Sequence, residues 1–260
     1  MPLSVQYHRA PAPARTAPPI VLLHGFGSSA DEEFLSTGWG ASLAAAGRDI
    51  IAIDLPGHGR SPAIETAEDA RTSAVVRAIL EAVDRVIPEH ARAGTTDGMG
   101  DGTADDTTQF DVIAYSLGAR LAWELPAASA RVRRLVLGGL SPVEPFGAID
   151  LDHLAAVLDG ATPHTPLVGM MAGMISAPGR DTDSLARLIG GLAAEPFRPT
   201  EGGPSIPTLF VAGLGDGMTT GVEDLAAAMP RGSVTRVPGD HRGALDSVEF
   251  RIAAIEFLAD

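Results

Sequence analysis

The chain has 260 residues, 45% of them apolar, a formal net charge of −14 and no cysteine. Disulfides and thiolate chemistry are therefore excluded, and the absence of lysine removes Schiff-base catalysis and a P-loop lysine. The acidic balance, with no basic stripe to neutralise phosphates, argues against nucleic acid as a partner.

No asparagine is present, so there is no N-glycosylation site. All the basic residues are arginines, a bias expected of a GC-rich bacterial genome. The first ten residues lack a basic start followed by an apolar run, so they do not read as a signal peptide. No run approaches the ~18 apolar residues of a membrane span. The expectation is a cytoplasmic protein that neither enters a membrane nor binds nucleic acid. Nothing in the sequence sets an oligomeric state.

In chain order, residues 3–8 read as an edge strand. Pro11, Pro13, Pro18 and Pro19 then force an extended approach to the next strand. Pro19-Ile20-Val21-Leu22-Leu23 is a continuous apolar run, the pattern of a strand buried on both faces. His24-Gly25-Phe26-Gly27-Ser28 follows, and its glycines free the backbone to turn N–H groups into a cavity. This turn is not a dinucleotide fingerprint, because the third glycine is replaced by Ala30. A helix is expected over 37–46, then the strand Ile50-Ile51-Ala52-Ile53. The loop Asp54-Leu55-Pro56-Gly57-His58-Gly59-Arg60-Ser61 comes next, with Asp54 and Ser61 bonding its backbone. His58 reads there as a structural histidine rather than a base. Val75, Val76, Ile79, Leu80, Val83 and Ile87 recur at helical spacing, which predicts a helix over 66–87 ended by Pro88. Residues 91–109 are acidic and glycine-rich. They lack the alternating ligands and closing glutamate of a calcium loop, and read as a surface loop.

Ser116 lies in Ala114-Tyr115-Ser116-Leu117-Gly118, between a strand-like run (Phe110, Val112, Ile113) and a helix-like one (Ala119, Leu121, Ala122, Trp123). A serine flanked by small residues at a strand-to-helix turn reads as a nucleophile elbow. That pattern alone also arises by chance, so its order relative to other features matters. Thr208-Leu209-Phe210-Val211-Ala212 reads as a strand, and Gly213-Leu214-Gly215-Asp216 puts a carboxylate just past its end. Ser233-Val234-Thr235-Arg236-Val237 reads as the next strand, followed by His241 and a helix over 245–258. All these loops open on one edge of an α/β sheet, where such sheets keep their sites. Ser116, Asp216 and His241 thus stand in the nucleophile, acid, base order, with the Phe26 and Leu117 N–H groups as the two oxyanion donors.

On these motifs the chain resembles the α/β-hydrolase superfamily from about Pro18 to Leu258. The resemblance implies a mostly parallel sheet of about seven strands flanked by helices, with a core of residues 1–140 and 205–260. Residues 141–204, carrying helix-like runs at 152–158, 167–175 and 184–192, would be a helical cap. It also implies Ser116 as nucleophile, His241 as general base and Asp216 as its orienting acid. Tyr115, Phe146, Met170 and Met174, with Met171 and Phe197, are expected to line the substrate pocket. The elbow with Arg120 also looks like that of the menaquinone-pathway hydrolase-like synthases, where an arginine at this position helps hold an anion. The second arginine expected one helical turn on is Glu124 here.

The activity expected is that of a serine hydrolase acting on a small, largely apolar carboxylic ester or lactone. A carbon–carbon bond hydrolase, a pyruvate-eliminating synthase and a non-turnover ligand-binding protein are the alternatives. No cofactor is expected. No H-x-x-x-H or H-E-x-x-H pair suggests a metal. Glu144 is the carboxylate that could substitute for Asp216, and Arg180, Arg187 and Arg198 are read as surface arginines.

Overall fold

Seven short runs pair into one sheet in the order β1-β3-β2-β4-β5-β6-β7. The structure, a computed structural model, describes residues 1–11, 17–93 and 109–259. β1 (Val5–His8) is antiparallel to its neighbour, with Val5 opposite Ile53 and His8 opposite Ile50. The remaining strands are parallel. β2 (Ile20–Leu23) leads by way of α1 (Gly38–Ala45) to β3 (Ile50–Ile53), and α2 (Thr72–Ala93) precedes β4 (Phe110–Tyr115). α3 (Leu117–Ala122) and α4 (Leu125–Ala128) lead to β5 (Val132–Gly138). α5 (Leu151–Leu158), α6 (Pro166–Ile175) and α7 (Thr182–Ala194) separate β5 from β6 (Thr208–Gly213). α8 (Val222–Ala227), β7 (Gly232–Val237), α9 (Gly243–Asp246) and α10 (Val248–Ala259) complete the chain. This is the α/β-hydrolase fold that the resemblance implied.

β2 and β3 are apolar at every position, and β4 at all but the ion-paired Asp111, because helices cover both faces. Val21, Leu23, Ile51, Ile53, Val112 and Ala114 pack on the side of α2 and α3. Ile20, Leu22, Ile50, Ala52 and Ile113 pack on the other side, against Trp39 and Leu43 of α1 and Phe250 and Leu258 of α10. Among the described residues, no helix is long and apolar enough to cross a membrane.

Three boundaries differ from the sequence reading. α2 begins at Thr72, not at 66. Thr66 and Asp69 bond each other locally, and the helix start is set by Glu195, whose carboxylate accepts the Ser73 N–H at 2.8 Å. The residue that supplies this acceptor is 122 positions away in sequence. α2 also runs through Pro88 to Ala93 rather than stopping there; a proline removes one hydrogen bond but does not forbid the next turn. The C-terminal helix is split at Ser247, whose Oγ accepts the Phe250 N–H at 3.1 Å and caps α10. Most of the acidic glycine-rich stretch, residues 94–108, lies outside the described residues.

The segment between β5 and β6 packs over the C-terminal edge of the sheet. Its helices start at side-chain caps: Asp150 accepts from the His153 N–H, Thr165 from Val168 and Asp181 from Ser184. α7 is tied to the body by Ser184, whose Oγ accepts the Ile64 N–H at 2.8 Å.

Candidate active site

The structure puts Ser116 on the sharp turn between β4 and α3. Its φ is 51°, and among the described residues it is the only non-glycine with positive φ. Such a conformation costs about 1–3 kcal/mol and persists only where the surroundings enforce it. They do so here: a Cβ on Gly118 would lie 2.2 Å from the Leu23 carbonyl oxygen, so only glycine lets α3 approach β2 this closely. Leu117 is the first residue of α3, so its N–H has no partner within the helix.

The loops after β6 and β7 bring in the other two residues. His241 Nε2 is 3.1 Å from Ser116 Oγ, and His241 Nδ1 is 2.8 Å from Asp216 Oδ2. Asp216 is buried, and its other oxygen accepts the Met218 N–H at 3.0 Å, which fixes the carboxylate plane. The Tyr115 hydroxyl donates to the His241 carbonyl. Burial and the nearby carboxylate of Asp216 hold that phenol protonated far above its usual range. Tyr115 therefore borders the cavity mainly as a support behind the histidine. Gly139, at φ 60°, leaves the space beside the imidazole: a Cβ there would sit 3.0 Å from His241 Cε1.

The turn after β2 is pinned on either side of Phe26. The Gly25 N–H donates to Glu33 Oε2 at 2.8 Å and the Gly27 N–H to His58 Nε2 at 3.0 Å. No protein acceptor among the described residues takes the Phe26 N–H. His58 Nδ1 faces the Pro56 carbonyl and His24 Nε2 accepts the Leu55 N–H. Burial lowers the pKa of His24 to about 4 and that of His58 to about 3, so both are neutral bracing groups.

A cavity of about 710 Å³ opens above Ser116 and His241. Phe146, Met170, Met171, Met174 and Phe197 all border it, as does Leu140. Met170 and Met174 are also exposed to solvent. Arg120 does not present a free cation there. It is 3% exposed, and it donates to Glu144 at 2.7 and 3.1 Å, to Thr72 Oγ1 and to the carbonyls of Leu192 and Glu195. It ties α3 to the segment between β5 and β6, which corrects its reading as an anion holder. Glu144 is equally committed, because its oxygens also accept the N–H groups of Phe146 and Phe197. It is not placed to replace Asp216 on His241. Arg198 pairs with Glu201 and Arg187 donates to the Ile64 carbonyl. Arg180 borders the cavity, not merely the surface, and grips Glu32 at 2.9 and 3.1 Å.

Sequence reasoning missed Glu33 and Arg242, which meet at 3.3 Å on the cavity wall. Glu33 sits in the run Asp31-Glu32-Glu33, which reads as an ordinary acidic helix start. Only its one-turn wide helix, Asp31–Leu35, directs it inward.

The chain matches the model of the alpha/beta hydrolase family over residues 20–253. No curated protein matches it. Among solved structures it is similar to the enol-lactonase of Burkholderia xenovorans LB400, at 17% identity over 99% of this chain and 97% of that one, with a TM-score of 0.67. It is similar to the esterase EaEST of Exiguobacterium antarcticum, at 17% identity over 99% and 96% of the two chains, with a TM-score of 0.68. It is also similar to the bottromycin epimerase BotH in complex with bottromycin A2, at 17% identity over 99% and 94%, with a TM-score of 0.65. At these identities the likeness shows the fold, and the fold hosts different reactions.

Proposed function

The chain belongs to the alpha/beta hydrolase family, and from that premise we propose that it is a serine hydrolase cleaving an uncharged, largely apolar carboxylic ester or lactone through an acyl-enzyme on Ser116. The observation that carries this reading is the hydrogen-bonded chain from Ser116 through His241 to Asp216 at the base of an apolar cavity. His241 Nε2 takes the hydroxyl proton as Ser116 Oγ attacks the carbonyl carbon. Asp216 keeps the Nδ1–H tautomer and stabilises the imidazolium that forms. The N–H groups of Phe26 and Leu117 receive the oxyanion. His241 then gives its proton to the leaving oxygen and activates the water that releases the acid.

Two features of the wall support the substrate class. Its acidic and arginine side chains are matched by partners, Glu32 with Arg180, Glu33 with Arg242 and Arg120 with Glu144, so no unopposed charge awaits a substrate ion. Most of the remaining side chains are apolar, chiefly methionine, phenylalanine and leucine with Ile149 and Pro145, and the volume leaves room for more than a short acyl chain. Residues 141–204 act in this reading as a cap that excludes bulk water and selects the acyl group. The engagement of Arg120 by Glu144 weighs against the pyruvate-eliminating alternative.

The test is steady-state turnover of p-nitrophenyl esters of increasing acyl length by wild type and Ser116→Ala. Multiple turnover that disappears in the variant is expected. Turnover that survives in Ser116→Ala, or none from folded wild type, overturns the reading.

A further inference from the structure

We propose that Glu33 is a positioning residue for this hydrolysis, holding the oxyanion turn in register with Ser116 by accepting the Gly25 N–H. The proposal rests on the serine-hydrolase reading above. It concerns a carboxylate that the triad and the oxyanion donors do not include.

Glu33 is only 4% exposed, and burial raises its pKa. A buried carboxylate is costly unless specific partners repay its lost hydration. Its partners are the parts of the machinery that must stay aligned. Oε2 accepts the Gly25 N–H at 2.8 Å, and Oε1 faces Arg242, the residue after His241, at 3.3 Å. A Cβ on Gly25 would lie 3.1 Å from Glu33 Oε1 and 3.3 Å from the Ser116 Cβ. The carboxylate, the turn and the nucleophile are thus packed in a row with no slack.

The neighbouring bonds explain what this row controls. The Gly27 N–H is held by His58 and the Gly25 N–H by Glu33, and the Phe26 N–H between them is the one left to point at an oxyanion. Releasing Gly25 frees one of the two anchors that aim it. The anchor needs an acceptor oxygen at this reach, which an amide of the same length also supplies. The carboxylate's charge would oppose the negative charge developing on the substrate oxygen, and Arg242 offsets it. The local backbone turns Glu33 inward through a wide helical turn, closed by the Ser36 N–H on the Asp31 carbonyl at 2.9 Å. Wide turns of this kind recur at functional sites.

The experiment compares wild type, Ser116→Ala, Glu33→Gln, Glu33→Asp and Glu33→Ala on one p-nitrophenyl ester, with thermal unfolding as the folding control. Gln keeps the reach to Gly25 without the charge, whereas Asp keeps the charge and is one methylene short. Glu33→Gln is expected to retain kcat within about threefold, and Glu33→Asp and Glu33→Ala to lose about tenfold to a hundredfold in kcat with KM nearly unchanged. The losing variants should weaken binding of an aryl trifluoromethyl ketone, which mimics the tetrahedral adduct, by the same factor. If Glu33→Ala does not fold, the Asp and Gln pair decides the matter. The proposal is overturned if Asp and Ala keep the wild-type kcat, if Gln falls as far as Asp or further, or if only KM moves. Wild type without serine-dependent turnover sinks the hydrolase reading itself and this proposal with it. A wrong variant order with normal serine dependence sinks this proposal alone.

Discussion

The turns after β2 and β3 carry His24 and His58, and the turn after β7 carries His241. The first two rings are buried 5.0 Å apart, with their nitrogens committed to main-chain groups of these turns. The third has a side chain 32% exposed, with one nitrogen on Asp216 and the other on a serine hydroxyl. The residue type is the same, and what differs is the partners of both nitrogens. A histidine whose nitrogens brace amides and carbonyls cannot shuttle a proton without breaking the turn it supports. One held by a carboxylate on one side and facing a hydroxyl on the other can.

The largest effects should therefore fall on the His241 side. Ser116→Ala and His241→Ala are each expected to lower ester kcat by at least ~10³-fold while thermal unfolding stays near wild type. Asp216→Asn should cost a comparable ~10³ to 10⁴-fold by favouring the wrong tautomer. His58→Ala sharpens the contrast. It should cost about 2–4 kcal/mol in urea unfolding, from the cavity and the abandoned Gly27 N–H, with a smaller loss of turnover than His241→Ala. A His58→Ala protein of native stability and negligible turnover would break the comparison.

Acid titration tests the same pair of histidines. Their folded pKa values lie below the unfolded value of 6.5, so the unfolded chain binds the extra protons. The stability they confer is complete above pH 6.5 and is lost as pH falls toward about 4 for His24 and about 3 for His58. Each contributes a slope of up to ~1.4 kcal/mol per pH unit in its window. The urea midpoint should fall between about pH 7 and pH 4.5, and His58→Gln should flatten that fall. A level midpoint in wild type would contradict two buried neutral rings. The smallest effect is expected in the segment between β5 and β6: Met174→Ala should shift the preferred acyl length with only a few-fold change in kcat/KM, read from the ester series.

The body of the fold was legible because β2 and β3 are apolar at every position and β6 at nearly every one. Ile20 to Leu23, Ile50 to Ile53 and Thr208 to Val211 stand out as runs that only a two-sided sheet can bury. The elbow was legible for a related reason, since Gly118 and the small Ala114 mark a turn where two backbones nearly touch. The start of α2 was not legible, because its acceptor is Glu195 on a distant segment. Nor was the fate of Arg120: a lone arginine after the serine suits a substrate anion as well as Glu144, and only the packing of α3 under the segment between β5 and β6 chooses between them.

By itself, then, the sequence determined the α/β class, the strand runs and the order of Ser116, Asp216 and His241. Those features depend on local pattern: burial on two faces, small residues at a tight turn, and loops that must open on one edge of a parallel sheet. The tertiary structure alone decided which charges are spent on one another. A glutamate in an acidic run and an arginine beside a histidine carry no mark of their partner. Glu33 and Arg242 meet 209 residues apart only because the turn after β2 and the loop after β7 are folded against the same serine.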